Sequence, residues 1–182
     1  MRPGLIFFWC LLLGTGFACL FGVLFDLVSV RNSPAYFTVG HPRRPEWTPD
    51  PFTSPNLNAL FWGIFATWWL GTGLGFVHGL WLAAVDRSVS LSGLVMRHAY
   101  LVIFMGFIGG IGFGFGEALM GVLGLEPAQI VSRAMLQQLD SLVDQRAFAV
   151  NALTHSIAYA SAGLATIFLF GYALAHGRFA TR

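Results

Sequence analysis

From about Gly4 to Phe25 the chain carries no charged residue, and three later stretches come close to that condition. About 20 apolar residues are enough for a helix to cross the hydrocarbon core of a bilayer. The later stretches run from about Ala59 to Val85, from about Ala99 to Leu125 and from about Ala147 to Ala175. Each holds one histidine or carboxylate: His78, Glu117 and His155 in turn. The pattern predicts an all-α membrane protein with four transmembrane helices in one domain over residues 1–182. Arg2 precedes the first stretch, as in a signal peptide. The apolar run is too long for a signal core, and GFAC before Cys19 is a poor lipoprotein cleavage site, so an uncleaved helix is expected.

Composition agrees. The chain is 56% hydrophobic and 10% charged, where soluble domains carry about 25% charge. The chain has ten arginines and no lysine, the usage of a GC-rich bacterial genome, and the bacterial inner membrane is the expected location. A net charge of +2 without a basic run leaves nothing to track nucleic-acid phosphates. Cys10 and Cys19 lie in the first apolar stretch and form no C-x-x-C.

Three connections separate the spans. Residues 26–58 hold six of the eight prolines, so an extended outer loop is predicted. Its aromatics Tyr36, Phe37, Trp47 and Phe52 suit a membrane interface. Residues 86–98 form a short polar turn. In residues 127–145, Ile130, Val131, Ala134, Met135, Leu139, Leu142 and Val143 recur at helical spacing, which predicts one amphipathic interfacial helix. Arginine density over the short connections places both termini in the cytoplasm.

Gly71, Gly75 and Gly79 repeat every four residues, as do Gly106, Gly110 and Gly114. Both read as glycine zippers, stripes on which a neighbouring helix packs closely. The glycine-rich runs do not fit G-x-G-x-x-G and precede no strand–helix unit.

Ionisable groups within spans are candidates for function. Asn151, His155 and Tyr159 share one face of the last helix. Glu117 lies eight residues before Leu125, and His155 eight after Ala147, so each should lie about 12 Å below the outer boundary. Thr67, Trp68 and Trp69 enter at nearly that depth. Glu117 is therefore expected to face His155 within a buried polar cluster of Glu117, Asn151, His155, Tyr159, Thr67 and Trp68, fastening two helices. Asp26 reads as a solvated boundary residue. His78 falls about 16 Å nearer the cytoplasm, so no pair of histidines at one depth offers heme ligation. No metal motif or activated nucleophile stands out. No catalytic residue, cofactor or metal is predicted.

FDLVSVRNSPAYFTVGHP, ATWWLGTGLG and RAFAVNALTHSIAYASAGLA, with the order of the spans, resemble a family of small bacterial four-helix membrane proteins. Its members carry D-x-[IV]-[ST]-[YV]-x-x-S-P-E-Y-F-T after the first helix, A-T-W-W-x-G in the second and a His and Tyr four apart in the last. Asp26, Ser33, Pro34, Tyr36, Phe37 and Thr38 match the first pattern, Thr67, Trp68 and Trp69 the second, and His155 and Tyr159 the third. Ala35 stands where the family has Glu. The resemblance implies four helices in a bacterial membrane and no particular activity.

The functional expectation is a non-enzymatic integral membrane protein with a structural, assembly or partner-binding role. Its partners are the lipid bilayer and a second copy or another membrane protein. The alternative is a small proton-coupled carrier or channel using Glu117 and the polar face of the fourth helix. A lipid-modifying enzyme with His155 as base ranks third.

Overall fold

The computed structural model describes residues 1–41, 45–85 and 89–177. These residues form seven α-helices and one 3-10 turn, with no strand among them. Three segments are long and apolar enough to cross a membrane: Pro3–Asn32, Pro55–Ala84 and Leu91–Val122.

Helix α1, Pro3–Asn32, starts at a proline whose missing N–H costs nothing in a first turn. It runs past the expected end at Phe25. It stops where Ser33 turns extended (φ −149°, ψ 91°) ahead of Pro34, because proline disfavours the α conformation in the residue before it. Pro34–Phe37 then forms the 3-10 turn. The second span begins with Pro55 and is interrupted. Helix α2, Pro55–Phe65, gives way to α3, Trp68–Val85. At the break the Thr67 hydroxyl donates to the Gly63 carbonyl, a back-bond that bends helices.

Helix α4, Leu91–Val122, is capped by the Ser90 hydroxyl, which accepts from the Gly93 N–H at 3.1 Å. The chain turns out of it at Gly124, at φ +64°. There the Leu125 N–H reaches the Met120 carbonyl and the Gly124 N–H the Gly121 carbonyl, a Schellman stop. The single amphipathic helix expected over 127–145 is not formed. Two one-turn helices, α5 (Pro127–Ile130) and α6 (Arg133–Leu136), stand in its place. Ser132 ends the first register and caps the second by accepting from the Met135 N–H. Helix α7, Leu142–Gly177, is capped by Ser141, which accepts from the Asp144 N–H at 3.1 Å.

Helix α1 lies along α2 and α3 and against α4, and α4 packs on α7. A methyl at Gly71 would meet the Gly14 carbonyl, and one at Gly75 the Cys10 carbonyl. The α1–α3 seam is therefore closed backbone to backbone. On α4 the result differs from expectation. Gly106, Gly110 and Gly114 have nothing within 4 Å, while Gly109, Gly112 and Gly116 meet Phe25, Thr154 and Val150. Small residues permit close approach, but the helix turns the glycines whose neighbours are bulky toward α1 and α7.

Candidate functional site

The turn of α1 before Ser33 and the second quarter of α7 meet at the end of the bundle that carries the 33–54 loop. Asn151 fixes their register. Its Nδ2 donates to the Ser29 carbonyl at 2.9 Å, and its Oδ1 accepts from Asn32 Nδ2 at 2.7 Å. One turn deeper, His155 Nε2 lies 3.1 Å from Asp26 Oδ1, with both side chains buried. His155 Nδ1 lies 2.8 Å from the Asn151 carbonyl.

That carbonyl can only accept, so Nδ1 carries a hydrogen. Nε2 then either donates to an Asp26 carboxylate, as part of an imidazolium, or accepts from a protonated Asp26. In both states one proton lies between Nε2 and Oδ1, and the pair has no net charge.

Aromatic rings enclose the pair. The Tyr36 ring stacks on the imidazole with centroids 4.6 Å apart, and Phe25 meets it edge-on at 4.7 Å. Phe37 is buried against α1 and α2 beside Val30 and Trp62. His41 packs on Trp62 at 4.2 Å and donates from Nδ1 to the Tyr36 carbonyl at 3.2 Å. Burial holds the His41 imidazole below its ordinary pKa, against the opposing pull of that hydrogen bond and of Asp26. Burial, then the nearby Asp26 charge, pushes the Tyr36 hydroxyl upward. At neutral pH both groups are uncharged.

Above the pair opens a cleft of about 480 Å³, floored by Asp26 and His155 and walled by Tyr36, Trp62, Trp69 and Tyr159. It lies where α3 and α7 barely touch. Beneath it Phe21, Phe25, Met105, Ala158 and Ala162 make an apolar layer.

The structure regroups the residues picked out from sequence. His155 and Tyr159 line the cleft and Asn151 ties α7 to α1 beside it, but Glu117 is not there. Its side chain is 71% exposed and lies 3.5 Å from Arg146. The reason is register. Helix α4 ends at Val122 and α7 begins at Leu142, so Glu117 and Arg146 each lie about one turn in, whereas His155 lies more than three. Glu117 also sits on the open glycine face of α4. Thr67 is buried against Gly22 at the helix break, apart from His155. Trp68 is half-exposed at the cleft mouth.

Asp26, read as solvated, is buried because α1 continues beyond it to Asn32. The signal was present: Asp26, Ser29, Val30 and Ser33 recur at helical spacing and all are buried. Of the SPAYFT residues, Ser33 and Phe37 are buried. Pro34 starts the turn, and the Thr38 hydroxyl closes it by donating to the Ala35 carbonyl at 3.1 Å. Nothing in the sequence marked His41 or Trp62. Among the described residues no three His, Cys, Asp or Glu side chains converge as metal ligands would. Comparison with protein-family models, curated proteins and solved structures finds no match.

Proposed function

We propose that this chain is a multi-pass, non-enzymatic protein of a bacterial inner membrane whose loop-end cleft is a binding site. In this reading α7 is the fourth span, both termini are cytoplasmic and the cleft opens to the outer side. The observation that carries it is the buried Asp26–His155 pair under an aromatic-walled opening. The volume lies within the roughly 300–1,000 Å³ of small-molecule sites. An ionisable pair kept inside a span at that cost is a mark of function. Binding is favoured over catalysis because both imidazole nitrogens are engaged, with Asn151 and with Asp26. Neither is left to take a proton from a substrate. A carrier based on Glu117 loses its main support, since that carboxylate is exposed and paired with Arg146. Assembly with a second copy or another membrane protein is compatible with this reading.

The test is thiol accessibility. In a Cys10→Ser, Cys19→Ser background, Phe65→Cys and Trp69→Cys should react with a membrane-impermeant maleimide added outside intact spheroplasts. Phe107→Cys, on the exposed apolar face of α4, should react far more slowly. Labelling of the cleft cysteines only after permeabilisation would reverse the orientation. No labelling even then would mean a cleft closed in lipid, and the binding reading would fall.

A further inference from the structure

We infer that the cleft binds an organic cation and that each cation bound displaces the one proton held between Asp26 and His155. The inference rests on the cleft being a binding site and adds what it binds.

The walls set the class of ligand. Tyr36, Trp62, Trp69 and Tyr159 line the opening with aromatic rings, and the faces of such rings carry the negative side of the quadrupole. Aromatic walls of this kind stabilise ammonium groups, quaternary ones above all. The polar atoms add the same preference. Asp26 has one carboxylate oxygen engaged with His155, and the other meets no hydrogen-bond donor among the described residues. His41, neutral and donating from Nδ1, keeps Nε2 as an acceptor. Among the described lining residues the carboxylate is that of Asp26, which attracts a cation and repels an anion. A small metal cation is nonetheless poorly served. It would lose its hydration shell for a single carboxylate, where such ions take six or more oxygens. A large, weakly hydrated organic cation loses little water and gains both the rings and the charge.

The floor sets the coupling. With its proton the pair is neutral, and an imidazolium there would repel the ligand. When the cation enters, the proton on the Nε2–Oδ1 line leaves to solvent. Asp26 remains as carboxylate and counter-ion, and His155 remains neutral with Nδ1–H held by Asn151. Charge balances: one cation in, one proton out. The groups that face the pair are Tyr36 and His41 from the loop and Tyr159 from α7. Among the described residues, α2 and α3 contribute to the cleft uncharged side chains such as Trp62 and Trp69. Affinity should therefore rise with pH, by up to about tenfold per unit while the pair holds its proton.

The experiment uses the full chain in detergent and in nanodiscs, with benzyltrimethylammonium as probe. Titration calorimetry in two buffers of different ionisation enthalpy should give about one proton released per cation. Trp69→Ala, at a half-exposed position on the lip, should weaken binding about threefold and leave proton release intact. Asp26→Asn should abolish both, with a melting curve recorded to show that it folds. The uncharged carbon isostere, neopentylbenzene, should bind far more weakly. Competition in phosphatidylcholine nanodiscs, absent in phosphatidylglycerol nanodiscs, would identify the natural cation as a lipid headgroup. Equal binding in both would identify a free one. Absence of saturable binding, equal binding of the isostere, or affinity unchanged between pH 5 and 8 would overturn the inference. Cleft cysteines that label from outside while the cation fails to bind would leave the binding-site reading standing without it.

Discussion

Buried histidines occur at both ends of the bundle, and the two ends differ in what surrounds them. At the loop end His155 has a carboxylate partner, a stacked tyrosine and an open cleft. At the opposite end His78 and His98 face each other with ring centroids 5.3 Å apart. Phe17 stacks on His98, whose Nδ1 donates to the Leu94 carbonyl at 2.8 Å. The cavity beside them holds only about 50 Å³ and is lined by Gly14, Gly71, Gly75 and apolar side chains besides the two imidazoles. Both ends satisfy the default rule that an ionisable group in a span signals function. The loop end adds a carboxylate beside the imidazole and a cleft of ligand size. Burial alone therefore does not distinguish a site from helix glue.

The largest test of that contrast is to remove one partner at each end. Asp26→Leu leaves His155 facing a leucine, and His155→Leu leaves Asp26 buried alone. Each should cost about 3 kcal/mol, because a buried ionic group has lost its partner. The double variant should recover most of that loss, since an apolar pair of similar volume needs no counter-charge. His98→Leu should cost only about 1 kcal/mol. Equilibrium unfolding in mixed micelles measures all four. Equal losses for the single and double variants at the loop end would erase the distinction between the two ends.

A second contrast lies on α4, between glycines one residue apart. A methyl at Gly109 would overlap the Phe25 ring, which itself meets His155. Gly109→Ala should cost about 1–3 kcal/mol by overpacking and disturb the floor of the cleft. Gly110 has open space, so Gly110→Ala should gain about 0.5–1 kcal/mol through helix propensity. The same unfolding assay decides. Similar values for the two would mean that α4 is rotated from the face described.

These pairs also show what was legible in the sequence. The long apolar segments, the proline starts of α1 and α2 and the glycine stop of α4 follow from local rules, and each is visible in a few residues. The Asn151–His155–Tyr159 face was legible too, because four-residue spacing holds in any helix. The partner of His155 was not. Choosing between Asp26 and Glu117 needs helix ends known to within a turn and the rotation of α4 about its axis. Boundaries read from sequence carry errors of two to four residues, or about 3–6 Å of depth. The break at Ser132 was hidden for a related reason: apolar periodicity continued through it, and only the serine cap ends the register.

A smaller effect concerns acid. His41 is held below its ordinary pKa, chiefly by burial, so the folded loop binds fewer protons there than the unfolded chain. Stability from this group is complete above the unfolded value of about 6.5 and declines as pH falls from there toward the folded value. Trp62, 4.2 Å from His41, should report loop release as a fluorescence change between pH 6.5 and 5. His41→Gln should remove that step. A transition unchanged in the variant would assign the acid sensitivity to another group.

The smallest expected effect is at Glu117, the residue that sequence reasoning placed at the centre. Its carboxylate and the Arg146 guanidinium stand 3.5 Å apart, with 71% and 48% of their side chains exposed. Exposed pairs contribute about 0–1 kcal/mol, because solvent screens both charges and two long side chains lose freedom to meet. Glu117→Gln should therefore change unfolding free energy by less than about 0.5 kcal/mol. The effect should shrink further in high salt, where exposed charges are screened within a few ångströms. The loop-end pair should be nearly indifferent to salt, because it is buried beneath aromatic rings. If Glu117→Gln instead costs as much as Asp26→Leu, the exposed position of Glu117 is wrong. The α4 face that carries it would then have to turn inward toward His155.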